Sequence, residues 1–222
     1  MSRAAALAPS APVGVPDYTE RLRTDWEWKM DEADRHFRGG GTVREALQAI
    51  TSRLKQLGIP YAVVGGMAVV RHGLNRFTDD VDLLVTREGW EAIHQNLRGR
   101  GYLPPFEASK NLKDTSRGVR IEFLITGQYP GSGKEQPVSF PDPTDVGEEI
   151  DGVTYLNLPT LITLKLASWM SAKARAKDAG DVQELIRTHG LTAEYADQLH
   201  PYVRDAFREQ CEGVEEDRRS GG

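Results

Sequence analysis

The sequence predicts an α+β fold: a mixed sheet core flanked by helices, with a helix before the core and a helical part after it. Three observations predict it. Apolar residues recur at helical spacing up to Leu57, short strand-like runs occupy the middle, and helical patterning returns after Leu158. The 222 residues suffice for one large domain or a core with a helical appendage, and 39% apolar content supports a sizeable buried core.

Residues 1–16 are rich in Ala and Pro, lack a long apolar centre and a cleavage site, and read as a flexible tail rather than a signal peptide. Asp17–Arg38 reads as one amphipathic helix, with Trp26, Met30, Ala33 and Phe37 at helical spacing and Gly39–Gly41 ending it, so that residues 17–41 form an N-terminal helical unit. Trp26 and Trp28 read as packing residues. Thr42 with Glu45 forms a capping-box signature ahead of an apolar stripe of Val43, Leu47, Ile50, Leu54 and Leu57, which Gly58 stops.

A core over residues 42–157 follows. Tyr61–Val64 is a short apolar run, Asp80–Val85 a strand candidate, and Thr86 caps a helix whose Trp90, Ile93 and Leu97 face inward. Val119–Ile125 alternates, with Val119, Ile121, Phe123 and Ile125 on one face and Arg120 and Glu122 on the other. Thr126–Gly147 holds four prolines and four glycines and reads as a long loop, a lid or binding edge. Ile150–Leu156 reads as a further strand. The helical part, residues 158–211, begins with Pro159 as the first residue of a helix to about Met170, then Asp178–His189, then Thr192–Cys211. Residues 212–222, with four acids and two arginines, read as a disordered tail.

Bulk properties exclude little but point one way. No apolar run approaches the ~20 residues a membrane-spanning helix needs, so no membrane partner is expected. The single cysteine, Cys211, cannot form an internal disulfide, which fits a cytoplasmic protein. A net charge of −5 leaves nucleic-acid binding open without favouring it, since basic residues still cluster over 110–120 and 173–177.

Chemistry concentrates in Val63–Val85. A strand ends in Gly65-Gly66, a short helix follows, and Asp80-Val81-Asp82 opens the next strand. Strand residues two apart share a face, so both carboxylates project together while Val81 points into the core. Two like charges held so close need a positive partner, and a divalent cation, Mg²⁺ or Mn²⁺, supplies it while also meeting phosphate oxygens. Gly65 and Gly66 let backbone approach phosphates closely.

Gly65-Gly66, Ala68, His72-Gly73, Arg76, Thr78 and Asp80-Val81-Asp82 resemble the nucleotidyltransferase superfamily (the polymerase-beta-like fold), and in particular the AbiEii/AbiGii-type toxin nucleotidyltransferases. Leu158–Leu161, Lys165, Lys177-Asp178 and Asp181-Val182 resemble that group's C-terminal helices, so the resemblance spans roughly residues 42–190. It implies a nucleotidyltransferase core and a metal-dependent enzyme that moves a nucleoside monophosphate from an NTP to an acceptor. The acceptor would be RNA or a tRNA end, a protein hydroxyl or a small-molecule hydroxyl. A toxin with a cognate antitoxin is the family-level expectation. The resemblance also implies that Glu122, where the family more often carries Asp, joins Asp80 and Asp82 as third catalytic carboxylate and metal ligand. Lys165 would then reach the triphosphate, and Asp178 would support the pocket.

Blander readings stand beside these. Asp-x-Asp and Gly-Gly alone occur on ordinary strand edges and turns. Glu122 beside Arg120 also fits a surface pair, Lys165 also fits a lysine snorkelling from a core edge, and Asp178 and Asp181 also fit acids near a helix start. Arg76 has two roles open to it, orienting Asp82 or meeting a phosphate. A second functional class, a catalytically weak binding or regulatory module on the same fold, is opposed by the intact Asp80/Asp82 pair and mildly favoured by Glu at position 122.

Overall fold

The computed structural model describes residues 15–220, so most of the tail expected over residues 1–16 lies outside the described residues. The expected N-terminal helix is two helices, α1 (Tyr18–Thr24) and α2 (Trp26–Phe37). They break at Asp25, which turns extended and caps α2 by accepting from the Trp28 N–H at 3.1 Å. The expected packing stripe is also corrected: Trp26, Met30 and Phe37 are exposed, and the inward face carries Tyr18, Trp28 and the buried Glu32.

Helix α3 (Thr42–Gln56) buries Val43, Leu47, Ile50 and Leu54 as its stripe requires, while Leu57 stays exposed. Its capping box does not form. Glu45 pairs instead with Arg35 at 2.8 Å, and the Glu32 carboxylate from α2 receives the Thr42 N–H, the Thr42 hydroxyl and the Tyr18 hydroxyl. A tertiary acceptor has replaced the local one at the helix N-terminus. Gly58, at φ +64°, ends the helix with the Ile59 N–H returned to the Leu54 carbonyl at 3.0 Å.

The core is β1 (Ala62–Val63), α4 (Gly65–Arg71), β2 (Asp80–Val85), α5 (Arg87–Leu97), β3 (Tyr102–Leu103), β4 (Leu112–Asp114), β5 (Arg120–Ile125), α6 (Pro143–Val146), β6 (Gly147–Ile150) and β7 (Val153–Leu156). These strands make one seven-stranded mixed sheet in the order β3-β4-β5-β2-β1-β7-β6. β2 runs parallel to β5 and antiparallel to β1, and β1 runs parallel to β7. β3 and β4 are too short to show a period of two in the sequence. The strand expected over Ile150–Leu156 is the second arm of a hairpin, because Asp151 and Gly152, at φ +52° and +77°, form the left-handed pair of a two-residue turn. The expected long loop closes earlier than Gly147, with α6 and β6 taking its end. The remainder is anchored by the buried Val138 and Phe140 and by paired backbone bonds between residues 127–128 and Phe140, each 2.8 Å.

Helices α7 (Leu158–Ser171), α8 (Ala176–His189) and α9 (Arg204–Ser220) complete the chain, with short 3₁₀ turns between them. The disorder expected from residue 212 is corrected, since α9 continues to Ser220 with Val214 buried and Asp217 bonded to Arg187 at 2.8 Å. The charge run is the wet face of an amphipathic helix.

The sheet divides two apolar clusters. Val81, Leu83, Val85, Ile121 and Phe123 pack toward α3 and α5, whereas Leu84 packs among residues of α7, α8 and α9 with Leu124 against them. By strand alternation, Asp80, Asp82 and Glu122 share that second face with Leu84 and Leu124. No helix among the described residues is long and apolar enough to cross a membrane.

Candidate active site

β2 and β5 pair in register with Asp82 opposite Glu122, so the period of two places Asp80, Asp82 and Glu122 together. One carboxylate oxygen from each lies within 4.8 Å of the others. Val81 between the aspartates is fully buried, which holds β2 in this register. Burial, then Asp80 and Glu122, push the Asp82 carboxyl up to about 8, against the Lys165 ammonium and the Gly66 N–H, which favour its charge. Asp80 is also raised, by burial and by Asp79 and Glu122, and the Thr78 hydroxyl 3.3 Å away opposes this. A cluster of hard oxygen donors whose charges oppose one another is a donor set that a divalent cation fits.

The two glycines are fitted to this cluster. Gly65 has φ +59°, and a Cβ there would lie 1.7 Å from Asp82 Oδ2; a Cβ on Gly66 would lie 2.3 Å from the Thr78 hydroxyl. Only residues without side chains let the β1–α4 turn press onto β2.

The C-terminal helices form the opposite wall. Lys165 is buried on α7 and donates to Asp178 Oδ1 at 3.2 Å and Asp181 Oδ2 at 2.7 Å. The Ser168 hydroxyl, one turn on, donates to Asp178 Oδ2 at 2.7 Å. Arg76, from the segment leading into β2, pairs through Nη1 with the same Asp181 oxygen, while its buried Nε has no protein partner. Two cations and two carboxylates thus tie the sheet to the α7–α8 layer, which compensates the desolvation of Lys165. Of the two roles open to Arg76, neither is its direct contact here.

Gly65, Gly66, Arg76, Asp80, Asp82, Glu122, Lys165 and Asp178 all line one cleft of about 920 Å³. Sequence reasoning passed over Ser168, Gln128 and Tyr129, which also line it. The spacing of Ser168 from Lys165, one turn along α7, was the available signal for Ser168. Gln128 and Tyr129 fall inside the Thr126–Gly147 segment expected to be a lid or binding edge, where composition marks the loop but not which side chains face the cleft. Lys110, Arg175 and Lys177 stand on the same lining, and Leu124, Phe140, Leu156, Leu161 and Leu164 give it an apolar floor.

The family model described as "Nucleotidyl transferase AbiEii toxin, Type IV TA system" matches residues 48–219. No curated protein matches the sequence. Among solved structures, ANT(2")-Ia in complex with adenylyl-2"-tobramycin is similar at TM-score 0.48 and 16% identity, over 75% of this chain and 97% of that one. An antigenic nucleotidyltransferase-like protein from Paracoccidioides brasiliensis is similar at TM-score 0.44 and 15% identity, over 65% and 75% of the two chains. A putative nucleotidyltransferase from H. pylori is similar at TM-score 0.44 and 14% identity, over 76% and 79%.

Proposed function

Because the chain belongs to the AbiEii nucleotidyl transferase toxin family of type IV toxin–antitoxin systems, we propose that its cleft binds an NTP and transfers the nucleoside monophosphate to an acceptor hydroxyl. The observation that carries this reading is the convergence of Asp80, Asp82 and Glu122 beside Gly65-Gly66 on one cleft. These three carboxylates would hold Mg²⁺ or Mn²⁺, which when bound neutralises phosphate charge and lowers the pKa of an attacking hydroxyl. In the transfer, the acceptor hydroxyl releases its proton to solvent, its oxygen bonds to the α-phosphorus, the bond from that phosphorus to the oxygen bridging it to the β-phosphate breaks, and pyrophosphate leaves. Lys165 places an ammonium beside the phosphates, Asp178 and Asp181 hold it there, and the apolar floor takes the base.

The acceptor we favour is an RNA end, because Lys110, Arg175 and Lys177 line the cleft with positive charge that a phosphodiester backbone would meet. Protein or small-molecule hydroxyls are the competing acceptors. A cognate antitoxin as partner and a cytoplasmic location, where NTP and Mg²⁺ are plentiful, complete the reading.

Two measurements test it. NTP with Mg²⁺ or Mn²⁺ should raise the melting temperature, since a ligand at about 100 times its Kd stabilises by about 2.7 kcal/mol. Asp80→Asn, Asp82→Asn and Glu122→Gln should each remove the rise. Incubation with labelled NTPs, Mg²⁺ and total RNA or cell extract should label RNA, and the same variants should leave it unlabelled. A thermal response without transfer to any acceptor would favour the binding module instead.

A further inference from the structure

The outward face of α2 carries an apolar stripe that no element among the described residues covers. Trp26, Met30 and Phe37 are 68%, 49% and 53% exposed, and with Ala33 they repeat at intervals of four, three and four residues. That is the repeat by which one helix presents a seam to another. The opposite face is already occupied, since Trp28 stacks edge-on against Tyr18 at 5.3 Å and Glu32 is buried as the cap of α3. The stripe is therefore periodic, regular and facing water, which single scattered surface apolar residues are not.

The charges flanking the seam select its occupant. Glu27 and Asp34 follow Trp26 and Ala33 along one border, and Lys29 and His36 precede Met30 and Phe37 along the other. In a parallel pairing of two such helices, a residue on the second border faces the partner residue five places later. Lys29 then meets Asp34 of the second copy, and symmetry makes the contact twice. In an antiparallel pairing Glu27 would face Asp34 of the second copy, two like charges. Both Lys29 and Asp34 are exposed, Asp34 already sharing a surface pair with Arg38 at 2.9 Å.

We propose that α2 is the interface of a homodimer, two copies packing their α2 helices in parallel along Trp26, Met30, Ala33 and Phe37. Three large side chains offer roughly half of the ~800 Å² per partner that a standard stable interface buries, so the association is a weak, transient one. The seam also adjoins the cleft, because His36 on α2 bonds the Arg76 carbonyl oxygen at 2.7 Å.

Sedimentation velocity of the full chain over a concentration series into the high-micromolar range tests this. The parent should shift reversibly from monomer to dimer. Trp26→Glu should raise the dissociation constant about tenfold or more, as loss of a large aromatic anchor does, with the circular dichroism spectrum unchanged. Lys29→Asp and Asp34→Lys should each weaken association about threefold, as exposed ion pairs do, and the double variant should restore it. A chain that stays monomeric throughout overturns the proposal, as does a dimer indifferent to Trp26→Glu. Charge reversals that strengthen association, or a double variant that fails to restore it, overturn the parallel pairing. A monomer that captures a different polypeptide on this face overturns the second copy as occupant.

Discussion

At Asp82 the neighbours that suit a cation are unfavourable without one. An unpaired Asp titrates near about 3.9, and burial beside Asp80 and Glu122 pushes this one up to about 8. A folded-state pKa raised above the unfolded value contributes stability that is fully present below about pH 4 and lost as pH rises through about 8. Asp82→Asn does not ionise and escapes that loss. In chelator, the variant should therefore melt with the parent near pH 4 and above it at pH 8. Melting curves that run parallel across this window would mean that the carboxylate is not destabilised where it sits. The position of Asp80 and Asp82 was legible, because a period of two and an apolar Val81 leave one arrangement. The partners of Lys165 were not, because they lie 13 and 16 residues away on another helix.

Elements were legible where their signal is local and long. α3, α5, α7 and α8 follow their stripes, and Asn157 caps α7 by accepting from the Thr160 N–H at 3.0 Å. β3 and β4 were not, because two or three residues carry no periodicity. α9 was misread over its last turns, because a charge run looks the same whether it is a loose tail or the solvent face of a helix. Removing residues 212–222 tests that element. It strips the buried Val214, worth about 1.5–3 kcal/mol of apolar burial, from the C-terminal cluster. The truncated chain should melt roughly 5 °C lower by circular dichroism. An unchanged melting temperature would return those residues to the status of a tail.

Across the whole molecule, the sheet has one face sealed by α3 and α5 and one face only partly covered by α7 and α8. The site occupies the uncovered part. Its two walls are joined by the apolar cluster around Leu84 and, at the cleft itself, by the ion pairs among Arg76, Asp181, Lys165 and Asp178. Replacing Lys165 by Met leaves Asp178 without its buried cation and Asp181 with Arg76 alone, a change that costs up to about 3–5 kcal/mol. Lys165→Met should lower the urea midpoint with the slope unchanged, besides weakening nucleotide binding. Loss of nucleotide binding at unaltered stability would instead place Lys165 in the site alone and leave the walls joined by other contacts.

The sequence by itself determined the α+β order, the strand carrying Asp80 and Asp82, the glycine turn before it, the polar face of β5 with Glu122, and the start of α7 with Lys165. Each depends on neighbours within a few positions, where strand and helix periods act. Only the tertiary structure decided that Arg76 meets Asp181, that Glu32 rather than Glu45 serves the start of α3, and that the Trp26–Phe37 stripe faces water. Those outcomes turn on which surfaces meet across the chain, and α2 does not state in its own residues that the core will take the face with Trp28 and Glu32 rather than the apolar stripe.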